Sequence, residues 1–160
     1  MHGVPPNDFP RQELAEFFTL SGRMKREAGA EKTLTERYSA LSDKIRKWPR
    51  TAKNDPFYNA SQGLAAHLNK ETGNEVLVGY NEFCAPDVNE ALAEAVNQKA
   101  EEIVVVTPMM TRGGEHAEVE IPTLVKRFQA IHPEIKTVYA WPFDTTEVAK
   151  FLTRHIARFI

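Results

Sequence analysis

Apolar positions change their spacing close to residue 74. Upstream, from Pro10 to about Gly73, they recur at helical intervals in a polar background interrupted by Gly29, Pro49 and the turn-like Lys53-Asn54-Asp55-Pro56. That pattern predicts helices near residues 10–28, 33–48 and 56–72, and Thr33-Leu34-Thr35-Glu36 has the spacing of a capping box at the start of the second. Downstream, short β-branched and aromatic runs alternate with helical patterns. EVLVGY (75–80), EIVVVT (102–107) and IKTVYAW (135–141) read as strands; 87–100, 115–131 and 145–160 read as helices. The order βαβαβα over 74–160 calls for a parallel sheet flanked by helices, and the unbroken IVVV run predicts a strand covered on both faces.

Length and composition narrow the class. At 160 residues, with 42% apolar and 26% charged positions, the chain is expected to be one soluble globular domain, and a net charge of -2 argues against an overall basic nucleic-acid binder. The lone Cys84 makes no internal disulfide, which fits a reducing compartment. No stretch is apolar enough for a membrane span, and MHGVPPNDFP lacks a signal-peptide pattern, so a cytoplasmic protein is expected. A sheet of this kind usually has at least four strands where three are visible. The opening Met1-His2-Gly3 therefore suggests a first strand cut short just before a His-Gly loop.

Open parallel sheets place their chemistry beyond the carboxyl ends of the strands. Three segments occupy such positions: His2-Gly3 in HGVPP, Glu82 in GYNEFCAP, and His116 in GGEHAEVEIP. Two imidazoles and a carboxylate suit a borderline divalent cation such as Co²⁺, Ni²⁺, Fe²⁺ or Zn²⁺, and the same groups accept protons. Plainer readings stand beside each. His2 is a surface residue near a terminus, His116 a first-turn helix residue satisfied by its neighbours, and Glu82 a solvated loop acid. Cys84 reads as a small buried side chain, and His67, His132 and His155 as structural. GxxxxGK[ST], GxGxxG and GxSxG motifs are absent from the sequence, which leaves nucleotide, nicotinamide and acyl-enzyme chemistry without support.

From about Asn74 to Phe151, GYNEFCAPDVNEALAEAV, KAEEIVVVTPMMTRGGEHAEVEIP and HPEIKTVYAWPF, in that order, resemble the class II tetrapyrrole chelatases. They resemble in particular the small sirohydrochlorin cobaltochelatases of the CbiX type. His116 with Glu120 and Pro122 resembles the family's metal-histidine motif, His2-Gly3 its first His-Gly motif, and Glu82 its acidic metal-site residue. The resemblance implies a three-layer chelatase-like domain over 1–160, half of the two-lobed form and paired as a homodimer. Phe17, Phe18 and the terminal FLTRHIARFI offer apolar surface for that pairing or for covering the chain's own sheet. Two departures stand out: the first strand is absent, and residues 9–55 form a helical insert that small members lack.

The implied reaction replaces two pyrrole N–H protons by one divalent cation, Co²⁺ first and Fe²⁺ or Ni²⁺ as alternatives, with no nucleotide. His116, His2 and Glu82 would hold the metal while one imidazole takes a pyrrole proton. Met109 and Met110 would lie beside the macrocycle, and Arg112 would meet one of its carboxylates. Half of the chain's 20 Lys and Arg lie between Arg23 and Lys53; ten cations against four acids give that window +6. The run reads mainly as solvated helix faces, or as a surface for an anionic partner. Two other functions stay open: a non-catalytic metal-binding or delivery protein, and an inactive remnant that binds neither metal nor tetrapyrrole.

Overall fold

A computed structural model describes residues 1–26 and 32–160, which form two compact units, Met1–Ala91 and Leu92–Ile160. The break expected at Gly29 lies outside the described residues.

In the first unit, α1 (Arg11–Arg26) and α2 (Lys32–Arg46) pack side by side because their apolar stripes share one core of Phe9, Phe17, Leu20, Leu41 and Ile45. Their order is antiparallel, since Glu13 meets Lys44 at 2.7 Å while Glu16, one turn on, meets Arg37 in a two-pronged bond with both contacts at 2.7 Å. Much of the basic run is thus neutralised within the chain. Arg46 pairs with Asp87 and Glu90, and Arg50 is buried against Asp55, so the solvated-face reading fails for these cations. Thr33 lies inside α2 rather than capping it. The capping box sits instead at α4 (Val88–Asn97), where Asp87 Oδ1 accepts from the Glu90 N–H and Glu90 Oε2 accepts from the Asp87 N–H.

Helix α3 (Pro56–Thr72) has the bounds its sequence predicts. Asp55 caps its start by accepting from the Tyr58 N–H, Pro56 occupies a first-turn position that needs no donor, and Gly73 ends it with φ 71°. The strand expected over 75–80 does not form: only Tyr80 bridges, to Asp87. Strand composition is local, but a ladder needs a partner. Here the backbone of Gly79, Tyr80 and Asn81 is bonded to Met1 and to Pro86.

In the second unit, β1 (Glu102–Val105) and β2 (Lys136–Tyr139) pair in parallel, with Val104 opposite Val138 and an ion pair from Lys136 to Glu102 at the margin. The sheet has these two strands among the described residues. A π-helical turn, His116–Glu120, leads into α5 (Ile121–Ile131), which lies against β2 and buries Ile121, Val125 and Phe128. Val104, Val106 and Val138 remain exposed, so β1 is covered on one face rather than both as IVVV suggested. Helix α6 (Thr145–Ile156), capped by Asp144, has no buried residue. No described helix is long and apolar enough to cross a membrane.

Candidate metal centre

The first unit brings His2 and Glu82 together through their backbones. The Met1 amine donates to Gly79 O at 2.7 Å and Met1 O accepts from Asn81 N at 2.8 Å, the bonds a residue opposite Tyr80 makes in a parallel ladder. One residue on, His2 O accepts from the Glu82 N–H at 2.9 Å. The N-terminal segment is therefore docked, against the plainer reading of His2 as a loose terminal residue. Burial pushes the Met1 amine below its usual value. Gly3 has φ +104°, and a Cβ there would overlap the Glu82 carbonyl oxygen, so only glycine permits this approach. The result places His2 Nε2 3.8 Å from Glu82 Oε2, with both side chains about half exposed.

Phe83, directly after Glu82, has φ 55°, an uncommon conformation for a residue with a bulky side chain. Beside it opens a cavity of about 440 Å³ walled by Phe17, Phe18, Tyr38 and Phe83, with Glu82 and Lys25 on its lining. Cys84 is buried, and burial raises its thiol above the usual value, which agrees with a packing role.

The second unit holds His116 with Glu120, Nδ1 to Oε2 at 2.5 Å. The local fold explains the pair. In the π turn the Ile121 N–H reaches back to His116 O, and Pro122 has no N–H to offer the next carbonyl, Ala117 O. That oxygen is satisfied from outside the helix by the Tyr139 hydroxyl at 2.9 Å. With a proton on Nδ1, His116 donates to Glu120, and Nε2 is then the ring nitrogen that carries the lone pair. This is the carboxylate–histidine arrangement that fixes the tautomer and the orientation of the ring. Glu120 belonged to the motif but carried no role in the sequence reading; its place four residues after a helical histidine was the available signal.

Arg112 forks onto Glu118, at 3.0 and 3.3 Å, and the Gly113 N–H reaches the same carboxylate. Those bonds hold Glu118 below its ordinary value and raise Arg112. Met110 is exposed, and Met109 is half-buried with its sulfur near Gly114. His132 packs its ring on Phe128 and bonds Glu134, His155 lies beside Phe151 and Phe159, and His67 sits exposed on α3. Among the described residues no three His, Cys, Asp or Glu side chains form a group that holds a metal ion. Each unit instead shows a pair, His2 with Glu82 and His116 with Glu120.

No curated protein and no solved structure matches the chain. The CbiX family model matches residues 53–158, well over half of the sequence. The matched span includes Glu82, Arg112, His116, Glu120 and Tyr139 and excludes His2 and helices α1 and α2. The chain belongs to the CbiX family, whose chemistry is metal insertion of the sirohydrochlorin-chelatase type.

Proposed function

We propose that this chain inserts Co²⁺ into sirohydrochlorin, with His116, His2 and Glu82 as the groups that deliver the metal. The observation that carries the reading is the His116–Glu120 pair, which lies inside the family match and gives an imidazole a defined tautomer. Insertion exchanges one divalent cation for two pyrrole N–H protons. An imidazole that releases the metal to the macrocycle then has its lone pair available to accept one of those protons, the other passing to solvent, and Glu120 stabilises the imidazolium that results. In the first unit, the His2–Glu82 pair offers the same donor types, an imidazole and a carboxylate. Fe²⁺ and Ni²⁺ suit the same donors and are the competing metals.

The acidic periphery of the macrocycle would exchange for Glu118 on Arg112, whose guanidinium already binds a carboxylate in forked geometry. Met109 and Met110 would flank the ring. The aromatic walls beside Glu82 offer a planar edge a stacking surface, with Lys25 as a cation for a peripheral carboxylate. A homodimer in a reducing cytoplasm fits the exposed apolar surface and the free, buried thiol of Cys84.

The test is anaerobic incubation of the full chain with Co²⁺ and sirohydrochlorin, followed by the visible spectrum of the macrocycle, with Co²⁺ calorimetry in parallel. Catalysed insertion above the uncatalysed rate supports the reading. Tight Co²⁺ binding with no acceleration would identify a metal-delivery protein instead, and loss of both would identify an inactive remnant.

A further inference from the structure

Arg50 is a deeply buried cation that the reaction leaves unused. Its side chain is 5% exposed and lies against Asp55, which is 1% exposed. The guanidinium makes four hydrogen bonds, to Asp55 Oδ2 at 2.6 Å, Val4 O at 2.7 Å, Ile45 O at 2.8 Å and Phe83 O. Two of these acceptors are informative. Val4 follows the His2-Gly3 turn, and Phe83 follows Glu82, so one rigid fork joins the two loops that carry the first-unit pair.

The same turn holds the N-terminal loop at further points. Asn54 O accepts from the Asn7 N–H at 2.7 Å, and Asn54 Nδ2 donates to Asp8 at 3.0 Å. The bond to Phe83 also falls on the one residue of the Glu82 loop with a left-handed backbone, φ 55°. A non-glycine residue persists there when its surroundings over-determine it. Gly3 packs on the Glu82 carbonyl from one side, and Arg50 holds the next carbonyl from another.

We propose that Arg50, held in place by Asp55, is a positioning residue that sets the separation of His2 and Glu82, so that the turn closing the helical insert shapes the metal site without touching the metal. This rests on the reading of His2 and Glu82 as metal donors. Arg50 lies outside the family match, which begins at residue 53. The fork geometry is the essential part: a lysine keeps the charge but has three N–H donors for these four acceptors and no rigid fork to place them.

The experiment is Co²⁺ titration of the full chain by calorimetry, with the cobalt visible spectrum and the thermal melt recorded on each variant. Arg50→Lys should melt cooperatively yet bind Co²⁺ about ten-fold or more weakly, with an altered spectrum, as loss of a ligand-orienting group does. Arg37→Gln, which breaks an exposed pair between α1 and α2, should leave Co²⁺ affinity unchanged. Wild-type affinity and spectrum in folded Arg50→Lys, while His2→Ala and Glu82→Gln each weaken binding, would overturn the proposal and leave the donor reading standing. Unchanged binding in His2→Ala and Glu82→Gln would instead remove the donor reading and the proposal with it. Should Arg50→Lys fail to fold, Asp55→Asn is scored by the same criteria.

Discussion

His116 owes its chemical character to one neighbour. Glu120 accepts from Nδ1 at 2.5 Å, which selects the tautomer whose Nε2 carries the lone pair. Glu120→Gln keeps the size and removes the charge. It should leave the thermal melt nearly unchanged while weakening Co²⁺ binding on the order of ten-fold to a hundred-fold, measured by calorimetry. Equal affinity in the variant would show that Glu120 does not orient the ring. A second residue-scale effect concerns Tyr80, whose ring stacks on Tyr58 and whose phenol burial pushes up from 10.0 to about 12. The folded value lies above the unfolded one, so the stabilisation is fully present below pH 10 and is lost as pH rises through about 12. Stability curves across that window should fall less steeply for Tyr80→Phe than for the wild type. Identical slopes would contradict the assignment.

At the scale of elements, the π turn before α5 depends on a hydroxyl from β2. Tyr139 donates to Ala117 O, the carbonyl that Pro122 cannot satisfy. Tyr139→Phe should lower stability by about 1–3 kcal/mol, the usual cost of leaving a buried acceptor unpaired, as read from chemical denaturation. A loss well below that would mean that water replaces the hydroxyl. What the sequence made legible at this scale follows from locality. Asp55-Pro56 and Gly73 fix α3 through bonds within a few residues, and the unit β1–α5–β2 follows from alternating patterns. The Glu75–Tyr80 strand did not follow, because β-branched composition speaks for extended backbone and says nothing about a partner. Arg50 did not stand out from the basic run for a similar reason: Asp55 and Ile45 lie five residues away, but its acceptors on Val4 and Phe83 lie 46 and 33 residues away. His116 stood out by its place between a strand and a helix, whereas its bond to Glu120, though local to one helical turn, was not read from the sequence.

For the whole molecule, the sequence pointed to a metal-inserting family, and the match over residues 53–158 bears that out. The unit Leu92–Ile160 leaves Val104, Val106 and Val138 exposed on the sheet and Phe151, Leu152 and Ile156 exposed on α6. Such surface is more than scattered apolar residues require, and a second copy of the chain is the proposed cover. Light scattering should return twice the chain mass, falling to one chain mass in Ile156→Glu; a monomeric wild type would contradict the pairing. The central claim is that His116 delivers the metal to the macrocycle. Single-turnover insertion of Co²⁺ into sirohydrochlorin, followed in the visible spectrum for wild type and folded His116→Ala, tests it most directly. The account predicts accelerated insertion that falls by about a hundred-fold or more in the variant. Insertion at the same rate in both proteins would contradict it.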